Sequence, residues 1–299
     1  MIKQEIVKKR TGLNNDKIID QKVQKMYLLF IAKYLTMIYA IIEYIIKGVN
    51  DMNKKIGVFD SGLGGLSILK ELIKHLPNED YLFYGDSINN PYGDKSDEEL
   101  LTITSHIVDY LLDNDCKIIV IACNTATTSC MKKLREKYPN TIFVGTVPAI
   151  KIAYDNNYKN TLVLATPYTI KSKRVKELIH DYKNSNQEIT LISGDNLAYL
   201  IDTDDKNKIV EFLNKKLSVY KDADSLVLGC THYSLIKKEI QEVLPNTALL
   251  DGCLGISLEV KHQLEKHQLL NLSKKRGRII IENSKGQNLI DKSYEILEK

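Results

Sequence analysis

Residues 118–128 read IIVIACNTATT and residues 225–235 read SLVLGCTHYSL, and the two stretches share one pattern. Each is a short apolar run that ends in a small residue, a cysteine and polar residues. Such runs are typical of buried parallel strands whose carboxyl ends open into a crevice. The pattern therefore predicts that Cys123 and Cys230 face one substrate as a pair of thiols. Two thiols on opposite sides of a carbon can remove a proton from one face and return a proton to the other.

The composition is that of a soluble globular protein, with 299 residues of which 43% are hydrophobic and 27% are charged. Residues 1–51 hold nine basic and five acidic side chains, which accounts for the whole net charge of +4. The rest of the chain has no basic excess, so we expect no nucleic-acid partner. Its five cysteines form no C-x2-C pair. We therefore expect no disulfide framework, no metal and a reducing, cytoplasmic location.

Residues 1–51 look unlike the remainder of the chain. Residues 27–46 form an apolar run of about the length that a membrane helix needs, interrupted by Lys33 and Glu43. Three interpretations stay open: a non-native start or dispensable extension, an interfacial or membrane helix, and a helix packed on the fold. Met52 begins MNKKIGVFDSG, a normal start for an α/β enzyme. We expect no membrane contact except through residues 27–46.

From Met52 onward, apolar runs alternate with helical patterns, which predicts parallel sheets with helices on both faces. The predicted strands are 56–59, 80–86, 117–123, 141–147, 161–166, 188–193, 225–230, 248–253 and 278–283. The predicted helices are 66–76, 96–114, 127–137, 169–184, 205–221, 233–243, 254–267 and 287–299.

Asp60 precedes Cys123 by 63 residues, and Thr166 precedes Cys230 by 64. This near-equal spacing predicts two pseudo-symmetric parallel-sheet α/β domains with the active site in the cleft between them. We assign residues 52–146 plus 252–299 to the first domain and 147–251 to the second.

Two glycine-bearing segments are candidate binding loops. The first segment, FDSGLGG (59–65), lies at a predicted strand-to-helix turn. It has three interpretations: a simple turn, a loop that binds phosphate, and a loop whose glycines let the backbone approach a small ligand. Asp60 disfavours phosphate, so we expect Asp60 and Ser61 to contact an amine or a neighbouring thiol. YGDSINNPYGDKS (84–96) is either a surface turn or a loop whose Tyr92 and Gly93 close over a small polar substrate.

The two cysteine segments carry further polar groups. Asn124 and Thr125 follow Cys123 at a predicted helix start, where backbone N–H groups favour a carboxylate and a thiolate. Thr231 and His232 follow Cys230. A Cys–His pair could serve a hydrolase, but a hydrolase uses one cysteine and no oxyanion motif is visible. The alternative is that His232 polarises or deprotonates Cys230.

Five motifs, DSGLGG, YGDSINNPYG, ACNTAT, LATPYTI and GCTHY, resemble in order and spacing the cofactor-independent glutamate racemases of the aspartate/glutamate racemase family. The resemblance covers about residues 52–299. It implies an isomerase that interconverts L- and D-glutamate without cofactor or metal and supplies D-glutamate for peptidoglycan, cell-wall biogenesis and cell shape. Aspartate racemases share the architecture, but ACNTATT and GCTHY favour glutamate. We consider a homodimer as one possible assembly.

The resemblance also implies residue roles. Cys123 and Cys230 act as the two bases, Asp60 assists Cys123, and His232 assists Cys230. The residues expected to hold the amino acid are Asp60, Ser61, Tyr92, Gly93, Asn124, Thr125, Thr231 and His232. The chain departs from the family pattern at GTVPAIK (145–151), Tyr168, DGCLGIS (251–257), Asn89 and Asn90. Three alternatives stay open: a racemase of another amino acid such as aspartate, a non-catalytic binding or regulatory protein on this fold, and a single-thiol hydrolase.

Overall fold

The structure is a computed structural model that describes residues 23–26, 28–43, 48, 51–182 and 186–298. The chain divides into two compact units, Met1–Asp51 and Met52–Lys299. The first unit contains helix α1 (Val23–Glu43), whose 21 residues are long and apolar enough to cross a membrane by length and composition. Residues 27 and 44–46 of the predicted apolar run lie outside the described residues.

The second unit contains two parallel sheets, with strand orders β4-β3-β1-β2-β9 and β6-β5-β7-β8. The strands are β1 (Lys55–Asp60), β2 (Tyr81–Gly85), β3 (Cys116–Ile121), β4 (Ile142–Gly145), β5 (Asn160–Ala165), β6 (Glu188–Ser193), β7 (Ser225–Leu228), β8 (Ala248–Leu250) and β9 (Ile279–Asn283). The order β4-β3-β1-β2 recurs as β8-β7-β5-β6, so the chain builds the same arrangement twice. The predicted pseudo-symmetric parallel-sheet architecture is confirmed.

Helices connect the strands. They are α2 (Leu66–His75), α3 (Asp97–Asp113), α4 (Asn124–Lys137), α5 (Ile150–Asp155), α6 (Pro167–Lys171), α7 (Lys173–Tyr182), α8 (Leu197–Asp202), α9 (Lys206–Leu217), α10 (Lys237–Val243), α11 (Cys253–Lys266) and α12 (Gln287–Glu298). Short 3₁₀ segments lie at Tyr92–Asp94, Ser218–Tyr220 and Thr231–Ile236.

The helix pattern departs from the prediction in several elements. The helix predicted at 233–243 begins as the 3₁₀ segment Thr231–Ile236 and is α-helical only in α10. The single helix expected at 169–184 is two helices, because Ser172 leaves helical geometry and its hydroxyl caps the backbone N–H of Val175. Helices α5 and α8 were not predicted, since six residues are too few to show a helical period. The capping box of Ser96 and Glu99 at the start of α3 is confirmed.

Both sheets are covered on both faces, which explains their continuous apolar strands. In β1, Val58 packs in a core with residues of α2 and α11, while the next residue, Phe59, packs on the opposite face with residues of α3 and α4. The second sheet is likewise covered by α8–α10 on one face and by α5 and α7 on the other. Because the sheets are packed on both faces, they position the loops that follow the strands.

Candidate active site

The two cysteines of the repeated pattern occupy equivalent places in the two sheets. Cys123 lies two residues beyond β3 and precedes α4, and Cys230 lies two residues beyond β7 and precedes the 3₁₀ segment Thr231–Ile236. They were expected at the strand ends themselves; each instead occupies the N-cap position of the following helical segment, without a capping hydrogen bond from its side chain. Both are nearly buried, and both line one cavity between the carboxyl ends of the sheets. The structure therefore brings the predicted thiol pair together.

That cavity is narrow, about 30 Å³, which is roughly the volume that one water occupies in the liquid. Its lining includes Ser61, Asn90, Tyr92, Gly93, Cys123, Thr125, Thr166, Gly194, Asn196, Tyr199 and Cys230. One wall comes from the loop after β2, and the opposite wall comes from the loop leading into α8. Four predicted site residues, Asp60, Asn124, Thr231 and His232, are buried behind the lining.

Asp60 ends β1 and is completely buried. Its Oδ1 accepts a hydrogen bond from the backbone N–H of Gly62 at 2.9 Å, and its Oδ2 accepts one from the Thr231 hydroxyl at 2.9 Å. Burial raises the pKa of Asp60, although the nearby His232 and the two hydrogen bonds oppose this. The assistance of Cys123 by Asp60 stays a prediction; in the structure the two hydrogen bonds of Asp60 go to its own turn and to the opposite sheet.

Cys123 meets a different hydroxyl. Its Sγ lies 3.6 Å from the Oγ of Ser61. Burial, followed by the negative charge of Asp60, raises the pKa of Cys123 to about 12, and the Ala126 N–H and the Ser61 hydroxyl offset only part of this. The helix start was expected to favour a thiolate here. Burial and the negative charge of Asp60 act in the opposite direction and favour the thiol form of Cys123.

Cys230 is paired with an imidazole. The Nδ1 of His232 lies 3.8 Å from the Sγ of Cys230, and the Nε2 of His232 lies 3.0 Å from the Oδ1 of Asp202. Burial lowers the pKa of His232, but the negative charge of Asp202 beside its Nε2, with smaller contributions from Cys230 and Asp60, raises it well above the usual value. A protonated His232 stabilises negative charge on the Cys230 sulfur. The two thiols therefore differ in their resting environment.

Sequence reasoning missed Asp202. It is the last residue of α8, the short helix that the apolar pattern did not reveal, and it lies in an ordinary run of acidic residues, Asp202, Asp204 and Asp205. No spacing in the sequence singles out one of these three carboxylates. Only the packing of α8 against the 3₁₀ segment that carries His232 distinguishes it.

Two hydroxyl contacts connect the sheets reciprocally. Thr231, which follows Cys230, donates to Asp60 at the end of β1, and Thr125, which follows Cys123 by two residues, lies 3.0 Å through its hydroxyl from Thr166 after β5. Asp60 and Thr166 are the residues that the 63- and 64-residue spacings pair with the two cysteines. The spacing could therefore have identified Thr166 as a residue of the site, although the predicted binding residues did not include it.

Two of the three glycines of FDSGLGG, Gly62 and Gly64, lie against the second sheet. A Cβ on Gly64 would lie 2.4 Å from the backbone N and 2.5 Å from the Nδ1 of His232, and a Cβ on Gly62 would lie 2.2 Å from the Oδ2 of Asp202. The close approach is therefore to the segment of the second sheet that carries the imidazole. The loop from the first sheet fits against that segment only because these side chains are absent.

We expect Gly64→Ala to lower kcat/KM at least about tenfold and to destabilise the fold by about 2 kcal/mol, because backbone cannot yield to the new methyl group. Urea unfolding and a racemisation assay measure the two effects. Gly255→Ala in α11 is the matched control, because nothing lies within 4 Å of its added Cβ. That control should keep full activity and gain about 0.5–1 kcal/mol from better helix propensity. Equal behaviour of the two variants would contradict the steric argument.

The loop after β2 is anchored by Asp86. This buried carboxylate accepts hydrogen bonds from the Tyr92 hydroxyl at 2.7 Å and from the Asn89 amide at 3.0 and 2.9 Å. A Cβ on Gly93 would lie 3.6 Å from Thr166 of the second sheet. Residues of this loop and the two thiols therefore line one cavity, and Tyr92 is buried in its wall.

A second, larger cavity of about 1390 Å³ lies behind these segments, with Leu63 and Leu235 among its lining residues. It contains neither Cys123 nor Cys230. We place the candidate chemistry in the small cavity because the thiols, the buried carboxylate and the imidazole converge there.

Two parallel sheets of shared strand order, with one thiol from each at a shared cavity, define an α/β protein with a candidate active site between the ends of its sheets. The family model described as Asp/Glu/Hydantoin racemase matches residues 65–254. A glutamate racemase of Clostridium botulinum (strain Alaska E43 / Type E3) is 41% identical over 253 residues, which cover 82% of this chain and 98% of the relative.

Solved structures agree. Glutamate racemase from Francisella tularensis subsp. tularensis SCHU S4 in complex with D-glutamate superimposes with a TM-score of 0.71 at 29% identity, over 83% of this chain and 95% of that one. Escherichia coli glutamate racemase in complex with L-glutamate and the activator UDP-MurNAc-ala gives a TM-score of 0.67 at 28% identity, over 82% and 94%. The chain belongs to the Asp/Glu/hydantoin racemase family, which confirms the resemblance seen in its motifs.

Proposed function

We propose that this protein interconverts L- and D-glutamate by a two-base reaction at Cys123 and Cys230, and that it supplies D-glutamate for peptidoglycan in the cytoplasm. The observation that carries the proposal is the pair of thiols, delivered to one cavity from equivalent places in two sheets. The relatives named glutamate racemase and the related structures with L- and D-glutamate support glutamate as the substrate. All five cysteines are free thiols, which is consistent with a reducing compartment.

Each turnover moves two protons. One cysteine, as thiolate, takes the proton of the α-carbon as that C–H bond breaks. The other cysteine, as thiol, donates its proton to the opposite face of the same carbon, and the electron pair left there forms the new C–H bond. The thiolate and the thiol have then exchanged places, and the reverse reaction begins from the exchanged form.

The unequal surroundings of the thiols favour one of these two forms at rest. Cys123 is held as a thiol by burial and by Asp60, whereas Cys230 lies beside a protonated His232. We infer that Cys123 is a thiol in the resting enzyme and acts as the acid of the first turnover. One enantiomer reacts directly with that form, and the other reacts with the exchanged form.

An α-proton of an amino acid is far less acidic than a thiol, so the site must also stabilise the developing carbanion. Backbone N–H groups at the start of α4, at Asn124 and Thr125, are suited to the substrate carboxylate. An ammonium group near Asp60 would neutralise a buried carboxylate whose burial alone is costly. Closure of the cavity removes water and strengthens both interactions.

The test is incubation with L-glutamate in D₂O, without added cofactor, followed by optical rotation and by proton NMR of the α-position. We expect the rotation to fall to zero while deuterium replaces the α-proton, and L-aspartate to react much more slowly. Faster reaction of aspartate would overturn the substrate assignment. Unchanged L-glutamate in both measurements would overturn the proposed function and favour the non-catalytic alternative.

A further inference from the structure

A line of polar contacts runs from the loop after β2 to the sulfur of Cys230. The side-chain amide of Asn90 donates to the Oδ2 of Asp202 at 2.7 Å. The Oδ1 of Asp202 lies 3.0 Å from the Nε2 of His232, and the Nδ1 of His232 lies 3.8 Å from the Sγ of Cys230. Asn90 lies in a loop of the first sheet, whereas Asp202, His232 and Cys230 lie in segments that follow strands of the second sheet. The contacts therefore connect the two walls of the cavity.

Each oxygen of the Asp202 carboxylate has its own partners. Oδ1 faces His232 and also accepts the backbone N–H of Leu63 at 3.3 Å. Among the hydrogen bonds of the described residues, Oδ2 accepts only from Asn90. Without Asn90 the carboxylate would keep the ion pair with His232 and the long backbone contact with Leu63, both at Oδ1, and Oδ2 would lose the hydrogen bond that fixes the orientation of the carboxylate.

We propose that Asn90 is a positioning residue: its amide holds the Asp202 carboxylate against His232 and so maintains the protonated imidazole beside Cys230. This inference rests on the two-base function proposed above. It assigns a role to one of the loop asparagines at which this chain departs from the family pattern.

The physical reason lies in the burial of His232, whose side chain is 1% exposed. Burial favours the neutral imidazole, and Asp202 is the largest influence in the other direction. Lys292 can compete with His232 for the Asp202 carboxylate, because its Nζ lies 3.2 Å from the backbone oxygen of Asp202. A carboxylate released by Asn90 can turn toward that ammonium, and His232 would then lose its proton.

Asn90 can be changed without dismantling its loop. Asn89 and Tyr92 on either side bind the buried Asp86 through their own side chains. The loop conformation therefore does not depend on the Asn90 amide, and a variant of similar shape isolates its hydrogen bond.

The first experiment compares Asn90→Leu, which keeps the branched shape and removes the donor, with wild-type enzyme. We expect kcat/KM to fall about tenfold, comparable to the loss of one hydrogen bond to a charged group. The fall must be equal for L- and D-glutamate, because enantiomers have equal free energies. The α-deuterium isotope effect should rise for only one enantiomer, the one whose proton Cys230 removes.

Asn90→Asp places a negative charge against Asp202 and should lose more activity than Asn90→Leu, with partial recovery as the pH falls and one of the two carboxyls is protonated. Ile88→Ala is the control, since this side chain in the same loop is 64% exposed, and it should behave as wild type. Full activity of Asn90→Leu, or an isotope effect that rises equally for both enantiomers, would overturn the inference.

A second readout does not require activity. Nitrogen-15 NMR distinguishes imidazolium from neutral imidazole, and the His232 signals are assigned by their loss in His232→Gln. We expect imidazolium in the wild type and neutral imidazole in Asn90→Leu at neutral pH. An unchanged imidazolium in Asn90→Leu would refute the inference alone, whereas wild-type enzyme that fails to racemise glutamate would refute the proposed function.

Discussion

Replacing Cys123 or Cys230 with alanine is expected to lower kcat for racemisation by at least about 10³-fold, within the 10²–10⁴-fold that one positioned acid or base contributes. The reason is that each thiol faces the shared cavity from its own sheet, so neither can serve both faces of the α-carbon. Loss of one thiol leaves inversion without either its base or its acid. Circular dichroism with L- and D-glutamate measures the loss.

The same two variants should differ in the enantiomer whose α-proton they slowly exchange with solvent. Cys123→Ala retains a base on one face and should exchange the α-proton of one enantiomer with D₂O without inverting it. Cys230→Ala should do this for the opposite enantiomer. Both effects follow from the placement of the thiols on opposite sides of one carbon, and proton NMR in D₂O detects them.

Cys116→Ala is the control for these variants. Cys116 is also a buried thiol of the first sheet, but it lies at the start of β3, at the end of the strand away from the cavity. It should retain full activity. Wild-type rates in either active-site variant, or exchange of the same enantiomer in both, would contradict the two-base assignment.

Replacing Asp60 with asparagine is expected to lower kcat/KM by about 100-fold and at the same time to make the fold more stable. The activity falls because the carboxylate that we assign to the substrate ammonium becomes neutral. The stability rises because asparagine keeps both hydrogen bonds, accepting from the Gly62 N–H and donating to the Thr231 hydroxyl, while a buried charge is removed. We expect a gain of about 1 kcal/mol at neutral pH.

The pH dependence of that gain has a definite sign. Burial raises the pKa of Asp60 above its ordinary value of 3.8, so the folded state binds this proton more tightly than the unfolded state. The free energy of unfolding of the wild type therefore falls as the pH rises from about the unfolded value through the raised folded value. The Asp60→Asn variant has no such titration, so its advantage should appear over that window and vanish below it.

Urea unfolding of both proteins from about pH 3.5 to about pH 8 tests this expectation, because the range begins near the unfolded pKa. A wild type that is the more stable of the two at neutral pH would show that the ion pair of Asp60 with His232, 3.9 Å apart, outweighs the cost of burial. Retained racemase activity in Asp60→Asn would remove the carboxylate from the mechanism.

Much of the fold was predictable because its strands are buried on both faces. Continuous apolar runs such as IIVIAC and SLVLGC cannot lie at a surface, and the Ser96 capping box marks the start of α3 by its own chemistry. The short helices α5 and α8 were not predictable in this way. With six residues each, they form because neighbouring strands and helices bury their apolar side chains.

The residues of the candidate site also fall into two groups, those that local sequence could predict and those that it could not. Asp60 ends β1, and the two cysteines and His232 follow within four residues of a strand. The spacings of 63 residues from Asp60 to Cys123 and 64 residues from Thr166 to Cys230 repeat the pattern, so local sequence located these residues. Asp202 and Asn90 carry no such mark, because their importance lies in a 2.7 Å contact between residues that are 112 positions apart.

Local sequence specifies two parallel sheets and a thiol near the end of one strand in each, because apolar runs and turn residues act over a few positions. The difference between the surroundings of the two thiols depends instead on tertiary packing. Burial beside Asp60 keeps Cys123 protonated, and Asp202, packed against the segment that carries His232, places positive charge near Cys230. Charges act through space and depend on burial, so a protonation state belongs to the assembled site rather than to any motif.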